Sequence, residues 1–117
     1  MSIKKYKPPL ITNFSQRQWP DKIITKSPSW CSVDLRDGNQ ALPDPMTPKQ
    51  KLEYYKLLCS IGFKEIEVGV PSASQDEFDF IRMLIEEDHI TEDVYIMGLT
   101  QMRPHLIEKT INSFKKE

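Results

Sequence analysis

A chain of 117 residues with 38% hydrophobic content is long enough for one small domain with a core of its own. Its 16 basic and 17 acidic residues nearly cancel, which argues against a nucleic-acid footprint and against binding to an anionic membrane surface. Two cysteines, Cys31 and Cys59, are too few for a disulfide scaffold, no apolar run approaches the ~20 residues of a membrane span, and the basic N-terminus lacks the apolar stretch of a secretory signal. The expectation is a cytoplasmic protein with two reduced, buried thiols.

Residues 1–28 read as an extended arm. In YKPPL, QWPDK and KSPSW a proline stands beside an aromatic or apolar residue, a pattern that forbids a helix and suits a segment wrapped over a surface. Tyr6, Trp19 and Trp30 are its expected anchors. Residues 29–117 form a second, regular region. It opens on WCSVDL, a strand candidate. A helix is predicted over 48–61. Thr47 is a good N-cap, Pro48 suits the first turn, Gln50 completes a capping box and Gly62 is a left-handed terminator. Leu52, Tyr55, Leu58 and Cys59 are its predicted apolar face.

KEIEVGV is a second strand. SQDEFDFIRMLIEED is a second helix, with Ser74 and Glu77 as another capping box and Phe78, Ile81, Leu84 and Ile85 as its stripe. DVYIMGL is a third strand. Pro104 opens a third helix, with Ile107, Ile111 and Phe114 on one side. Met83, Met97 and Met102 read as core filler. His89 reads as a solvent-facing residue at a helix end, and His105 lies in a first turn. Their separation and the lack of an HxH argue against a shared metal site.

Strands beginning near residues 31, 64 and 94 give a strand–helix repeat of about thirty residues, which requires a parallel sheet with crossover helices. An open doubly wound sheet and a (β/α)8 barrel both fit. The absence of GxGxxG after the first strand and of a P-loop weakens the nucleotide-binding version.

Sites in parallel α/β folds lie at the C-terminal ends of strands. Arg36, Asp37, Asn39 and Gln40 end the first strand, Glu67 and Gly69 the second, Thr100 and Gln101 the third. Alternation places Val33 and Leu35 on one face of the first strand and Ser32, Asp34 and Arg36 on the other. It likewise separates Ile66, Val68 and Val70 from Glu65 and Glu67. Charges turned inward must be paired or metal-bound. Arg36 opposite Glu67 meets part of that need, and Asp37 is free to ligate a hard divalent cation. The functional reading is an active-site cluster, and the alternative is an ion-pair network that only specifies the fold.

Three stretches carry a resemblance: DLRDGNQAL (34–42), IEVGVPSASQDEFDFIR (66–82) and LTQMRPHLIEKT (99–110). Together they resemble the start of the 2-isopropylmalate synthases, in the longer bacterial and fungal form, within the HMG-CoA-lyase-like (DRE-TIM) metallolyase superfamily. The resemblance runs over about residues 5–117. Pro43 and Val70 depart from it, standing where a larger aliphatic and an aromatic residue are expected.

The resemblance implies a (β/α)8 TIM barrel, of which this chain holds an N-terminal arm and about the first three βα units. It implies a Claisen-type condensation of acetyl-CoA with 2-oxoisovalerate to 2-isopropylmalate, the first committed step of leucine synthesis, and a homodimer for the full-length enzyme. Asp37 would ligate a divalent metal (Mg, Mn or Zn), and a monovalent cation such as K is a further expectation. Arg36 would bind substrate and stabilise developing oxygen charge. Glu67 would act beside Arg36, and Gln40 would bind substrate. The family's metal site also needs a His-x-His pair from a later strand, so this chain alone is expected to be inactive. Two alternatives stand beside this reading: a non-catalytic remnant serving as an interaction fragment, and a related acyl-CoA condensing enzyme such as a homocitrate or citramalate synthase.

Overall fold

The computed structural model describes residues 26–116. Tyr6 and Trp19 lie outside them, while Trp30 stands 70% exposed and so is not packed as an anchor among the described residues. Three parallel strands, β1 (Cys31–Ser32), β2 (Glu65–Gly69) and β3 (Tyr95–Gly98), form a sheet in the order β1-β2-β3. The register pairs Ser32 with Ile66 and Ile66 with Ile96, and it shifts between Glu67 and Gly69. Helices α1 (Pro48–Ile61), α2 (Gln75–Glu86) and α3 (Pro104–Phe114) alternate with the strands, and α2 packs against both of the others. The strand–helix repeat is therefore present, as a three-stranded parallel α/β unit.

The helix α1 has the ends its capping residues dictate. Thr47 Oγ1 accepts from the Gln50 amide at 3.4 Å while Gln50 Oε1 accepts from the Thr47 amide at 2.9 Å. Gly62, at φ +107°, closes it in the left-handed conformation. Its buried face is Lys51, Tyr55 and Leu58, with Leu52 and Cys59 at the margin. The capping box expected for α2 is only half formed. Ser74 Oγ accepts from the Glu77 amide at 3.2 Å, but the Glu77 carboxylate has other partners. Phe80, Ile81 and Leu84 are its buried residues, and Phe78 and Ile85 are half-buried.

The first strand is shorter than predicted. After Ser32 the chain leaves the sheet and winds into a wide, π-type turn over Asp34–Gly38. The amides of Arg36, Asp37 and Gly38 all converge on the Val33 carbonyl, at 3.2, 2.8 and 3.3 Å. Alternation therefore fails beyond Ser32: Leu35 is fully buried, but Val33 is 42% exposed. In β2 alternation holds, with Ile66 and Val68 buried and Glu65 and Glu67 half-buried on the other side.

Helix α3 is rotated from the expected stripe. Thr110 and Ser113 are buried, while Ile107 and Ile111 are exposed. One hydroxyl contact ties it to the chain beyond β3, Thr110 Oγ1 donating to Thr100 Oγ1 at 3.0 Å, while the buried Ser113 Oγ is satisfied within the helix by the Thr110 carbonyl at 2.7 Å. Phe114 lies against Gly98, where a β-carbon would come within 2.9 Å of its ring. Met102 is 96% exposed and Met97 39%, hence neither is core filler. The cysteines are free, but Cys31 is exposed and Cys59 half-buried. The core is instead Leu35, Tyr55, Leu58, Ile66, Val68, Phe80, Ile81, Leu84 and Val94. No helix among the described residues is long and apolar enough to cross a membrane.

Candidate functional site

A turn, not a strand, carries the charged pair. Successive residues of a strand point to opposite faces, so Arg36 and Asp37 could not have served one opening from a pleat. In a helical turn neighbours are only about a quarter turn apart. Arg36 Nη1 thus reaches Asp37 Oδ1 at 3.0 Å while Arg36 Nε and Nη2 turn to Glu67 Oε2, at 3.0 and 2.9 Å. The contact across from β1's end to β2 is the pairing expected from the sequence.

The guanidinium is a fixed cation. The hydrogen bond it donates to Glu67, ahead of the other causes, holds its pKa above the ordinary value. Its three contacts leave further N–H groups unused. Arg36 lines a cleft of about 420 Å³ beyond the ends of the strands, together with Gln40, Val70, Ser74, Glu77 and Gln101. Volume and place suit a small polar ligand. A larger cavity of about 730 Å³ lies between the end of α2, β3 and α3, walled by Ile85, Ile90, Val94, Ile96 and Phe114, and it contains none of the strand-end polar residues.

Of the four predicted site residues, Arg36 and Gln40 line the cleft, and Glu67 stands behind Arg36. Asp37 is outside the lining, 67% exposed, with Oδ1 taken by Arg36. A carboxylate is the hard oxygen donor that Mg or Mn favours, and Zn accepts it as well. Asp37 therefore fits as one metal ligand. Among the described residues no group of three or more His, Cys, Asp or Glu side chains is placed to hold a metal. His105 is exposed, and His89 Nε2 lies 3.0 Å from Glu87 Oε2. Asn39 is 6% exposed and plays a structural part, its Oδ1 accepting from the Met46 amide at 2.7 Å.

Sequence reasoning missed one pair. Lys51 is 2% exposed, and its Nζ lies 2.7 Å from Glu77 Oε1 and 4.5 Å from the centre of the Phe80 ring. Glu77 Oε2 accepts from the Val70 amide at 3.0 Å. Burial pushes the Lys51 ammonium below its ordinary range, and Glu77 opposes this. The signal was present in the spacing: 51, 55 and 58 lie on one helical stripe, so Lys51 shares the face of Tyr55 and Leu58.

Comparison with known proteins adds a family. The family model described as HMGL-like matches residues 27–117. A protein of Arthrobacter sp. (strain FB24) named 2-isopropylmalate synthase is 56% identical over 116 residues, covering 97% of this chain and 20% of its own length. One of the same name from Schizosaccharomyces pombe is 59% identical over 113 residues, 96% of this chain and 19% of the relative. Another, from Clostridium acetobutylicum, is 60% identical over 99 residues, 85% and 18% respectively. The chain thus spans about a fifth of the length of the curated relatives it matches.

Proposed function

The chain belongs to the HMGL-like family, and from that premise we propose that it forms the first part of a 2-isopropylmalate synthase, whose complete fold is a (β/α)8 barrel. The reaction removes a methyl proton from acetyl-CoA, joins that carbon to the keto carbon of 2-oxoisovalerate, and releases CoA by hydrolysis of the thioester. The names of the similar proteins support this reading, as does a strand-end cleft holding a fixed cation. A divalent metal, when bound, supplies Lewis-acid polarisation of a keto group. Asp37 would be this chain's ligand to it, and the remaining ligands come from beyond the described residues. The same proposal carries a cytoplasmic homodimer for the complete enzyme.

The chain's own residues have distinct tasks. Arg36 presents its unused N–H groups where negative charge grows on oxygen, and preorganised donors of this kind stabilise such charge without reorganising. Glu67 is a positioning residue: it clamps Nε and Nη2, so the guanidinium does not reorganise as charge develops. Gln40 offers an amide to the bound acid from the cleft wall. The observation that carries the proposal is Arg36 on the cleft wall, in contact with both Glu67 and Asp37. In the full-length protein, Arg36→Ala should lower kcat about 10²–10³-fold, the scale for loss of one oxyanion donor. CoA release from acetyl-CoA and 2-oxoisovalerate measures it, and turnover within about twofold of wild type refutes the role.

A further inference from the structure

Glu77 lines the cleft, yet it is poorly placed for acid–base work, because both its oxygens are engaged: Oε1 with Lys51 at 2.7 Å, Oε2 with the Val70 amide at 3.0 Å. Lys51 is an expensive partner. An ion pair with one member 2% exposed is often replaceable by apolar residues without loss of stability, so its stabilising value does not explain it. What it does geometrically is specific. Val70 is the first residue past β2, and its carbonyl accepts from the Ala73 amide at 2.9 Å to close the turn that leads to the Ser74 cap of α2. Glu77, the third residue of α2, reaches back over that turn and fastens its beginning. Lys51 then ties the same carboxylate to α1. Gly69 makes the approach possible, since a β-carbon there would lie 1.9 Å from Glu77 Oε2. The fastened turn supplies Val70, Ala73 and Ser74 to the cleft that Arg36 and Gln40 share.

We propose that Lys51 and Glu77 are a positioning pair that sets the cleft wall formed by residues 70–74, acting through the Val70 amide and touching no substrate. The kinetic consequence rests on the reading of this cleft as the keto-acid site. The geometric consequence does not.

The test compares two double variants of the full-length protein that carries this chain. K51M/E77M removes both charges and the acceptor for Val70. K51M/E77Q removes both charges but leaves an amide oxygen for Val70. Hydrogen exchange across residues 69–75 and steady-state kinetics with 2-oxoisovalerate are read on each. In K51M/E77M, exchange at Val70 should quicken about tenfold or more, the scale for losing one charge-assisted bond. The KM for 2-oxoisovalerate should rise about tenfold with a smaller change in kcat. K51M/E77Q should recover most of both. Wild-type exchange at Val70 in K51M/E77M overturns the proposal, as does a K51M/E77Q no better than K51M/E77M. Failure of K51M/E77M to fold where K51M/E77Q folds also overturns it, in favour of a purely structural bond. If the wild-type protein shows no turnover of acetyl-CoA and 2-oxoisovalerate, the functional reading falls, and exchange at Val70 alone decides the positioning role.

Discussion

Replacing Gly69 by alanine should be among the most damaging single-methyl changes available to this chain. The added β-carbon would lie 1.9 Å from Glu77 Oε2, 3.1 Å from Glu77 Cδ and 3.1 Å from Lys51 Nζ. Glu77 is flexible and can swing aside, so the collision itself is avoidable. What it gives up in moving is not. The carboxylate leaves the Val70 amide, which costs about 1.5–3 kcal/mol for a hydrogen bond to a charged group. The backbone at φ +154° favours glycine, and a β-carbon held in a sparsely populated region costs about 1–3 kcal/mol. The two effects together reach about 2.5–6 kcal/mol, a large share of the roughly 5–15 kcal/mol that stabilises a small domain. Urea unfolding followed by circular dichroism measures it as a fall in the midpoint at unchanged slope. In a K51M/E77M background only the backbone cost should remain, about 1–3 kcal/mol. A Gly69→Ala loss under about 1 kcal/mol, or an equal loss in both backgrounds, would refute the close-approach argument.

Three other outcomes follow from buried or shifted groups. The Tyr55 hydroxyl is buried beside the Cys59 thiol without a well-formed hydrogen bond among the described residues, so Tyr55→Phe should leave stability unchanged or raise it by about 1 kcal/mol; a loss of more than about 1 kcal/mol would show that the thiol is a true partner. Burial lowers the Lys51 pKa from its ordinary 10.5, so the unfolded chain binds the extra proton between the lowered value and 10.5. Stability should therefore rise with pH through that window, with the burial cost fully present below it, and K51M/E77M should flatten the slope in denaturant midpoints. Asp93 is held below its ordinary value first by Lys64 and then by Thr91, which gives a slope of the same sign in acid: its contribution is present above 3.8 and is lost as pH falls through the lowered value. Asp93→Asn should accordingly weaken the pH dependence in acid, and identical acid titrations of the two proteins would contradict it.

Capping chemistry and periodicity were legible wherever local forces decide. Thr47, Pro48, Gln50 and Gly62 announce both ends of α1 because each satisfies backbone groups within a few residues of itself. Ile66 and Val68 follow strand alternation because β2 lies between two neighbours that enforce the pleat. Beyond Ser32, β1 has no such ladder, so three amides gathering on the Val33 carbonyl override alternation, and Leu35 is buried while Val33 is not. On α3 the apolar stripe misled because Thr110 found a partner in Thr100, Ser113 was satisfied within its own helix, and Phe114 took the space above Gly98. Arg36 and Glu67 were legible as a pair from their positions at adjacent strand ends. Lys51 was not, because a lysine on an apolar stripe is read as a flaw until its carboxylate is found on another helix.

The turn at 34–38 has a dynamic consequence. Cation and neighbouring carboxylate are carried by one short winding of the backbone, so thermal breathing of the sheet moves them as a unit. Parting of β1 from β2 lengthens the reach from Arg36 to Glu67 but leaves the spacing from Arg36 to Asp37 nearly untouched. Fluctuations of the scaffold would then vary how tightly the arginine is braced, without scrambling its alignment with the acid beside it.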